Sequence, residues 1–286
     1  MEFWKYQGAG NDFIMVDQRS QQWLRREHTE QIAALCDRRF GIGADGLILL
    51  EQHADFDFEM IYFNADGRES TMCGNGGRCI AAFAFDRGIL RDSNHYHFLA
   101  IDGPHEAFVL HPDVPGQQNL ADKGFYHVVL KMQDVGNIQQ EDAVFILNTG
   151  SPHYVRFVDD TAHLDMRHEG RSVRYSDRFK KEGINVNFVA ILPGGRLKIR
   201  TYERGVEDET LACGTGVTAA ALAYAVFNDV ECPDGGVSVE ALGGDLRVSY
   251  KPGARTGEFT DIWLKGPAKR VFSGNIDPAQ PLTLRL

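Results

Sequence analysis

The sequence predicts an α/β protein of the α+β type, with two similar domains that each consist of a curled mixed β-sheet around a central helix. Strand-like and helix-like segments alternate along the chain, and one short unit of strand, turn and helix occurs twice. The chain has 286 residues, of which 43% are hydrophobic and 24% charged. That length and composition suffice for two domains of ordinary size, each with its own core.

Apolar runs with β-branched and aromatic residues predict the strands, at 13–16, 47–50, 58–63 and 144–147. A helix is predicted over 29–40, with Ile32, Leu35 and Cys36 on one face and Gly41 as its end. Two further helices, at 80–85 and 217–227, are rich in alanine and apolar on all sides. Helices of that kind belong in the interior of a domain.

The repeated unit ends in a Cys-Gly-x-Gly motif, at Cys73 in the first copy and at Cys213 in the second. Upstream of the two motifs, Phe58–Asn64 and Leu197–Glu203 share the same alternation of side chains. We infer a repeat related by a pseudo-twofold axis, which would bring both cysteines to one cleft between the domains. The polar, turn-rich stretch 111–119 is the predicted linker, and it divides the chain into domains at 1–117 and 118–267.

Charge and composition exclude several classes of function. The formal net charge is −10, which argues against binding to nucleic acid or to an anionic membrane surface. No apolar run reaches the roughly 18 residues of a membrane span, and the N-terminal residues lack the pattern of a signal peptide. Five cysteines are too few for a disulfide scaffold. We therefore expect a cytoplasmic protein, with Cys36, Cys79 and Cys232 as core residues and with His95 and His97 in an exposed loop.

A cysteine at a helix N-terminus is suited to a specific kind of chemistry. The helix dipole and the first N–H groups of the helix stabilise the thiolate, which is the reactive form. The N–H groups of Gly74 and Asn75, and of Gly214 and Thr215, can bind a carboxylate. A thiolate and a thiol on opposite faces of an α-carbon could invert it, one removing a proton while the other delivers one. Such a reaction needs neither a cofactor nor a metal.

The sequence resembles the diaminopimelate epimerase family over nearly its whole length. The similar segments are Gly8-Ala9-Gly10-Asn11-Asp12-Phe13, Gly41-Ile42-Gly43-Ala44-Asp45-Gly46, Asn64-Ala65-Asp66-Gly67, Met72-Cys73-Gly74-Asn75-Gly76-Gly77-Arg78-Cys79, Ser151-Pro152-His153, Gly183-Ile184-Asn185-Val186-Asn187-Phe188, and Glu203-Arg204-Gly205 followed by Ala212-Cys213-Gly214-Thr215-Gly216. One Cys-Gly-x-Gly motif alone is weak, but two in order with the asparagine and Glu-Arg elements are specific.

The resemblance implies pyridoxal-phosphate-independent interconversion of LL- and meso-diaminopimelate, in lysine and peptidoglycan-precursor synthesis. It implies that Cys73 and Cys213 are the acid–base pair. The α-carboxylate would be bound by Gly74, Asn75, Gly214 and Thr215, and the amino groups and distal carboxylate by Asn11, Asn64, Asn185, Glu203 and Arg204. His153 and Glu203 would tune the thiols. The resemblance also implies a homodimer and a C-terminal strand, within 268–286, that returns to the first domain.

The sequence departs from the family pattern at three places and leaves two other functions open. Ser151 stands where many relatives have Asn, Gly46 stands where some have Gln, and 206–210 is one residue longer than the common form. A related racemase acting on proline or hydroxyproline could use the same paired thiols. A metal-binding or thiol-switch protein could use Cys73, Cys79, Cys213 and His153, although their spacing matches no zinc motif.

Overall fold

The computed structural model describes residues 1–89, 94–110 and 124–277, and over this part of the chain the fold is mixed α/β and mostly strand. The coarse fold class predicted from the sequence is therefore confirmed. Four α-helices occur in the described residues, and none of them is both long and apolar enough to cross a membrane. The predicted linker at 111–119, and with it the predicted boundary after residue 117, lies outside the described residues.

The helices are α1 (Thr29–Cys36), α2 (Gly74–Asp86), α3 (Met166–Arg174) and α4 (Gly214–Asn228). The strands are β1 (Glu2–Gly8), β2 (Asn11–Asp17), β3 (Gly46–Glu51), β4 (Phe58–Asn64), β5 (His95–Ala100), β6 (Gly103–Leu110), β7 (Phe125–Lys131), β8 (Gln139–Glu141), β9 (Val144–Asn148), β10 (Pro152–Phe157), β11 (Asn185–Ile191), β12 (Leu197–Glu203), β13 (Asp208–Thr210), β14 (Val237–Ala241), β15 (Gly244–Pro252) and β16 (Phe259–Asn275). All four strands predicted above lie within β2, β3, β4 and β9.

The chain divides into two compact units. Unit 1 consists of Met1–Leu130 and Pro267–Leu286, and unit 2 consists of Lys131–Gly266. The change of unit after Leu130 has a simple cause. Strand β7 pairs along β6 through Leu110↔His127 and Ala107↔Leu130, so the chain remains in the first sheet until β7 ends.

The strands of unit 1 form a closed ring. Their order is β1-β2-β3-β4-β5-β6-β7, and the C-terminal part of β16 lies between β7 and β1. Its pairing with β1 is antiparallel and runs from Glu2↔Asn275 to Gln7↔Lys269. On its other side, the Arg270 N–H donates to the carbonyl of Gly124 over 2.8 Å. Over the described residues of this unit, each strand of the ring has a partner strand on both sides, which protects its edges from aggregation.

Six strands of unit 2 repeat the topology of six strands of unit 1. In unit 1, the successive pairings from β1 to β6 are antiparallel, parallel, antiparallel, parallel and antiparallel. In unit 2, the same sequence of pairings runs through β9, β10, β11, β12, β14 and β15. Helix α2 lies in the chain between β4 and β5, and α4 lies between β12 and β14. The internal repeat therefore extends well beyond the two cysteine motifs.

Helices α2 and α4 occupy equivalent positions in the two cores. Helix α2 contacts β1, β2, β3 and β6, and every residue from Gly74 to Ala84 is buried. Helix α4 contacts β9, β10, β11, β12, β14 and β15, and it is buried from Gly216 to Ala223. An Ala-rich helix can be enclosed on all sides because its small side chains allow strands to approach closely. The sequence prediction of two buried helices is confirmed.

Three local predictions need correction. Cys232, expected in the core, is only half-buried. Helix α1 ends at Cys36 rather than at residue 40, because the Asp37 carboxylate accepts the N–H groups of Arg39 and Phe40 over 2.7 Å and directs the chain into a turn. His95 and His97 belong to strand β5 and not to a loop. Their alternation with the buried residues Tyr96 and Phe98 is the period of a strand with one buried face.

Candidate active site

Cys73 is the N-cap residue of α2, and its backbone is extended. The Gly76 N–H donates to its Sγ over 3.2 Å, and the Gly77 N–H donates to its carbonyl over 2.8 Å. A Cβ atom at Gly76 would lie 3.2 Å from that sulfur. Glycine thus lets the helix start close around the thiol, where N–H donors and the helix dipole stabilise negative charge.

The first turn of α2 is held by a chain of hydrogen-bonded side chains, of which Asn75 and Arg78 are buried. The Asn75 amide donates to Asn11 Oδ1, and Asn11 donates in turn to Asp45 Oδ2 over 3.1 Å. Arg78, which is fully buried, donates to Asn75 Oδ1 over 2.6 Å and to the Gly74 carbonyl over 3.2 Å. Burial lowers the pKa of Arg78 to about 10. The structure therefore brings together Asn11, Asn75 and the helix that starts at Cys73.

A second set of charges fixes the loop from which Asn11 extends. Lys5 Nζ lies 2.8 Å from Asp12 Oδ2, and Arg38 Nη2 contacts Asp12 and Asp45 over 2.6 Å each. Hydrogen bonds and ion pairs with Arg38 and Lys5 outweigh burial and hold the pKa of Asp12 well below its usual range. Asp45 is thus held where it can accept a hydrogen bond from Asn11.

Asn64 and Gly46 lie opposite each other where β4 ends and β3 begins. Asn64 is exposed, and its backbone forms the turn that contains Gly67. At Gly46 a Cβ atom would lie 2.5 Å from the Phe63 carbonyl oxygen and 2.6 Å from the Tyr62 ring. Close packing therefore explains the glycine at position 46, where the family pattern can place glutamine.

Cys213 is the N-cap residue of α4 and is buried, with 9% of its surface exposed. Its Sγ lies 3.3 Å from Thr215 Oγ1, and its carbonyl accepts the Val217 N–H over 2.9 Å. The Thr215 carbonyl accepts the Thr149 hydroxyl over 2.8 Å. The second cysteine thus has the same position at its helix as the first, with a hydroxyl as an additional neighbour.

His153 lies below this helix start on β10 and is fully buried. Its Nε2 lies 2.9 Å from Thr215 Oγ1 and 3.0 Å from Ser151 Oγ. Its Nδ1 lies 3.1 Å from Asn187 Nδ2. Burial, with a smaller contribution from the positive charge of Arg204, lowers the pKa of His153 to about 3. The imidazole is therefore neutral at physiological pH.

The neighbours of Asn187 determine which ring nitrogen of His153 carries the proton. Asn187 Nδ2 also donates to the Tyr154 carbonyl over 2.9 Å, and a carbonyl can only accept, so the amide orientation is fixed. The Asn187 oxygen accepts the Thr201 hydroxyl over 2.9 Å. Nδ1 of His153 must then accept from Asn187, and Nε2 carries the hydrogen that points toward Thr215 and Ser151. Asn187 fits under α4 because position 216 is glycine, where a Cβ atom would lie 2.6 Å from the Asn187 oxygen.

Asn185, Glu203 and Arg204 lie together where β11 begins and β12 ends. The Asn185 amide donates to Ser151 Oγ and to the Pro152 carbonyl, both over 3.1 Å, and it accepts the Arg204 N–H over 2.8 Å. The Glu203 carboxylate accepts the Thr210 hydroxyl over 2.9 Å from the adjacent strand β13. Burial raises the pKa of Glu203 above its usual range.

Sequence comparison decides the family. The model of the diaminopimelate epimerase family matches residues 3–102 and 145–271. The chain is 46% identical over 276 residues to the diaminopimelate epimerase of Flavobacterium psychrophilum, a match that covers 96% of this chain and all of the relative. The chain belongs to the diaminopimelate epimerase family. The predicted family, the isomerase class, the epimerase activity and the place in lysine biosynthesis are thereby confirmed.

Solved structures with much lower identity share the fold of this family. A phenazine biosynthesis protein of the PhzF family from Bacillus anthracis has a TM-score of 0.68 at 13% identity, and the match covers 96% of this chain and 98% of that one. A probable proline racemase from Agrobacterium radiobacter has a TM-score of 0.64 at 15% identity, with 98% and 94% covered. At such identities the likeness extends to the fold alone, so it gives no support to the alternative of a proline racemase.

Sequence reasoning assigned no role to three residues that organise the two helix starts, namely Arg78, Asn187 and Ser151. Arg78 carried a visible signal, since it is a charged residue inside an otherwise small and apolar helix. Asn187 had one as well, because it is a polar residue in the apolar strand Asn185–Ile191. Ser151 was noted only as a departure from the diaminopimelate epimerase pattern. In the structure its hydroxyl lies between Asn185, His153 and Thr215.

Proposed function

We propose that the chain epimerises LL-diaminopimelate to meso-diaminopimelate without pyridoxal phosphate, with Cys73 and Cys213 as its two bases. The observation that carries the proposal is the equivalence of the two thiols. Each is the N-cap of a buried, Ala-rich helix, and the two helices occupy matching places in a repeated topology. A reaction that removes a proton from one face of a carbon and adds one to the other can use two such groups, one for each face.

The proton balance of the reaction is symmetrical. In one direction, a thiolate removes the α-proton, so an S–H bond forms as a C–H bond breaks. The other thiol then donates its proton to the opposite face of the carbon, and becomes the thiolate that starts the reverse reaction. Negative charge that develops on the substrate carboxylate would be stabilised by the N–H groups at the helix starts, at Gly74 and Asn75 and at Gly214 and Thr215.

A series of hydrogen bonds ends at Cys213 and favours its thiolate. Because Nε2–H of His153 points toward Thr215 and Ser151, their hydroxyls can accept from the ring and pass their own hydrogens onward. The Thr215 hydroxyl, 3.3 Å from Sγ, is the last donor in this series. His153 is therefore a positioning residue in the proposal: it orients Thr215 and does not itself remove a proton. Hydrogen bonds to an ionised group are about twice as strong as neutral ones.

The distal end of the substrate carries an ammonium and a carboxylate, and the remaining residues suit both. Glu203 supplies a partly buried carboxylate for an ammonium group, while Arg204 supplies a guanidinium for a carboxylate. Asn11, Asn64 and Asn185 supply amide donors and acceptors. Proline has no second charged end of this kind, so these residues favour diaminopimelate over it.

The arrangement of the whole enzyme also forms part of the proposal. The repeated topology supports an internal duplication in which each unit provides one helix start. The family resemblance supports a homodimer. Reduced thiols are required for the reaction, which supports a cytoplasmic location.

The test follows the α-proton directly. Reduced protein is incubated with LL-diaminopimelate in heavy water, and NMR records both loss of the α-proton signal and formation of the meso isomer. Wild type should do both, whereas Cys73→Ser and Cys213→Ser should lose turnover by at least 100-fold, since acid–base groups typically contribute 10² to 10⁴. Cys232→Ser, which changes a thiol outside the helix starts, is the matched control.

Two outcomes would contradict the proposal. Turnover at the wild-type rate in either serine variant would exclude the two-base scheme. Exchange on L-proline but none on LL-diaminopimelate, with folded protein and reduced thiols, would instead support the racemase alternative.

A further inference from the structure

A second group of potential ligands lies on strands β5 and β6, and it includes none of the residues discussed for the reaction. His95, His97 and Glu106 each offer one ligand atom, and these three atoms all lie within 4.8 Å of one another. His95 Nε2 is 2.6 Å from Glu106 Oε1, and His97 Nε2 is 4.0 Å from the same oxygen. No other group of this kind occurs among residues 1–89, 94–110 and 124–277.

The backbone of the sheet explains why the three side chains converge. His95 and His97 are two residues apart on β5, so both point to the same face, while Tyr96 between them is fully buried on the other. His97 lies directly opposite Glu106 in the antiparallel pairing of β5 and β6. Residues opposite each other in such a pair have Cβ atoms about 5 Å apart.

The supporting strands are themselves held on both sides. Strand β5 pairs with β4, and β6 pairs with β7, so neither is an edge strand. The ring of His95 is stacked on Phe108 with 4.0 Å between the ring centroids and 13° between their planes. The site is thus built on a paired sheet with one ligand ring already oriented, which limits the entropy that a bound ion would have to offset.

We propose that His95, His97 and Glu106 bind one divalent transition-metal ion, with Zn²⁺ as the favoured physiological ion. Two imidazoles and one carboxylate form a common ligand set for zinc, with water in the fourth position. Ligand atoms about 2.0–2.1 Å from a tetrahedral ion lie about 3.3 Å apart. Placing an ion between them requires the 2.6 Å contact to lengthen and the 4.0 Å contact to shorten, which side-chain rotation can supply.

The consequence would be a cross-link between two strands of unit 1. An ion bound by β5 and β6 together would stabilise this hairpin and raise the melting temperature as the free zinc concentration rises above its dissociation constant. The ion would take no part in the proton transfers proposed for Cys73 and Cys213. A transition metal at this position would therefore affect stability and leave the reaction chemistry unchanged.

The test measures how many zinc ions the protein binds. Metal-stripped, reduced protein is titrated with ZnCl₂ by calorimetry, for wild type and for His97→Ala, His95→Ala and Glu106→Gln. Each histidine variant should lose one equivalent of bound zinc, and Glu106→Gln should bind that equivalent at least tenfold more weakly. His163→Ala, which removes an exposed histidine of unit 2, should bind as wild type does.

Thiolates also bind zinc, so a second measurement identifies the ligands. The same proteins are titrated with Co²⁺, whose visible spectrum distinguishes thiolate ligands from imidazole and carboxylate ligands. Wild type should bind some Co²⁺ whose spectrum lacks thiolate absorption. His97→Ala should not bind this portion of the Co²⁺. If the histidine variants bind as much zinc as wild type, or if all bound cobalt shows thiolate absorption, the proposal is wrong. Because His97 has 58% of its side chain exposed, its replacement should leave the fold intact.

Discussion

The buried imidazole of His153 should make the protein sensitive to mild acid. His153 is fully buried, and its pKa is about 3 because burial disfavours the charged ring and Arg204 adds positive charge nearby. In the unfolded chain the pKa of a histidine returns to about 6.5. Between these two values the unfolded chain binds one proton that the folded protein does not bind.

The sign and size of the effect follow from this difference. Stability rises with pH wherever the unfolded state binds more protons, so His153 contributes most above pH 6.5 and its contribution falls as the solution is acidified. The slope is about 1.4 kcal/mol per pH unit between pH 3 and pH 6.5. From pH 7.5 to pH 5.0 this one group should cost about 2 kcal/mol of unfolding free energy.

Glu203 acts in the opposite direction. Burial raises its pKa in the folded protein, so the folded state takes up a proton at a higher pH than the unfolded state does. Acidification through that range therefore relieves an unfavourable charge and adds stability. For this reason the total pH dependence of the wild type does not isolate His153, and a variant without the imidazole is required.

His153→Gln is the appropriate variant, because glutamine remains neutral over the whole range. Urea unfolding at pH 7.5 and pH 5.0 should show that wild type loses about 2 kcal/mol more than the variant does. Imidazole NMR signals of the wild type should include one histidine that does not titrate between pH 8 and pH 4.5. A titration of His153 near pH 6.5, or equal losses in the two proteins, would refute the reasoning.

Three further predictions follow from the contacts at the start of α4 and from the packing around Gly46. Thr215→Val removes the hydroxyl donor to Cys213, so kcat/KM should fall by about 10- to 100-fold and its pH profile should shift to higher pH. Thr215→Ser keeps the hydroxyl and should restore both the rate and the pH profile. Asn187→Leu leaves the buried partners of the amide unpaired, so urea unfolding should show a loss of about 1–3 kcal/mol in unfolding free energy. In the same variant, ¹⁵N NMR should show a changed tautomer of the neighbouring imidazole. Gly46→Ala forces a Cβ into the Phe63 carbonyl and should lower the unfolding free energy by about 1–3 kcal/mol. As a control, Gly136→Ala places its Cβ in open space, so its unfolding free energy should stay within about 0.5 kcal/mol of wild type.

Much of the fold could be predicted because its signals are local. The strands at β2, β3, β4 and β9 and the helices α2 and α4 follow from short apolar patterns, and a repeated Cys-Gly-x-Gly motif makes the duplication visible. What could not be predicted depends on contacts distant in sequence. The strand order of each unit, for example, is set by pairings such as Glu2↔Asn275, for which a single sequence contains no direct signal.

The same distinction applies to the candidate site. Both helix-start cysteines were predicted from sequence, as was the neighbourhood of Asn185 and Glu203. The orientation of His153 was beyond sequence reasoning, because it depends on an amide 34 residues away that is held by the Tyr154 carbonyl. The segment of His95 and His97 was interpreted as an exposed loop. In fact, its buried positions alternate with its exposed ones.

Strand β16 has a consequence for how the protein is made. Unit 2 is a continuous stretch of chain, but unit 1 needs residues from Pro267 onward to fill the gap between β7 and β1. During synthesis the ribosome releases the N-terminal strands first, yet their ring cannot close until the part of β16 from Pro267 to Asn275 emerges. The second unit can thus fold before the first, reversing the usual vectorial order of domain folding. In the meantime, β1 and β7 expose unpaired edges, so nascent chains that stall before residue 267 should be the species that most need a chaperone.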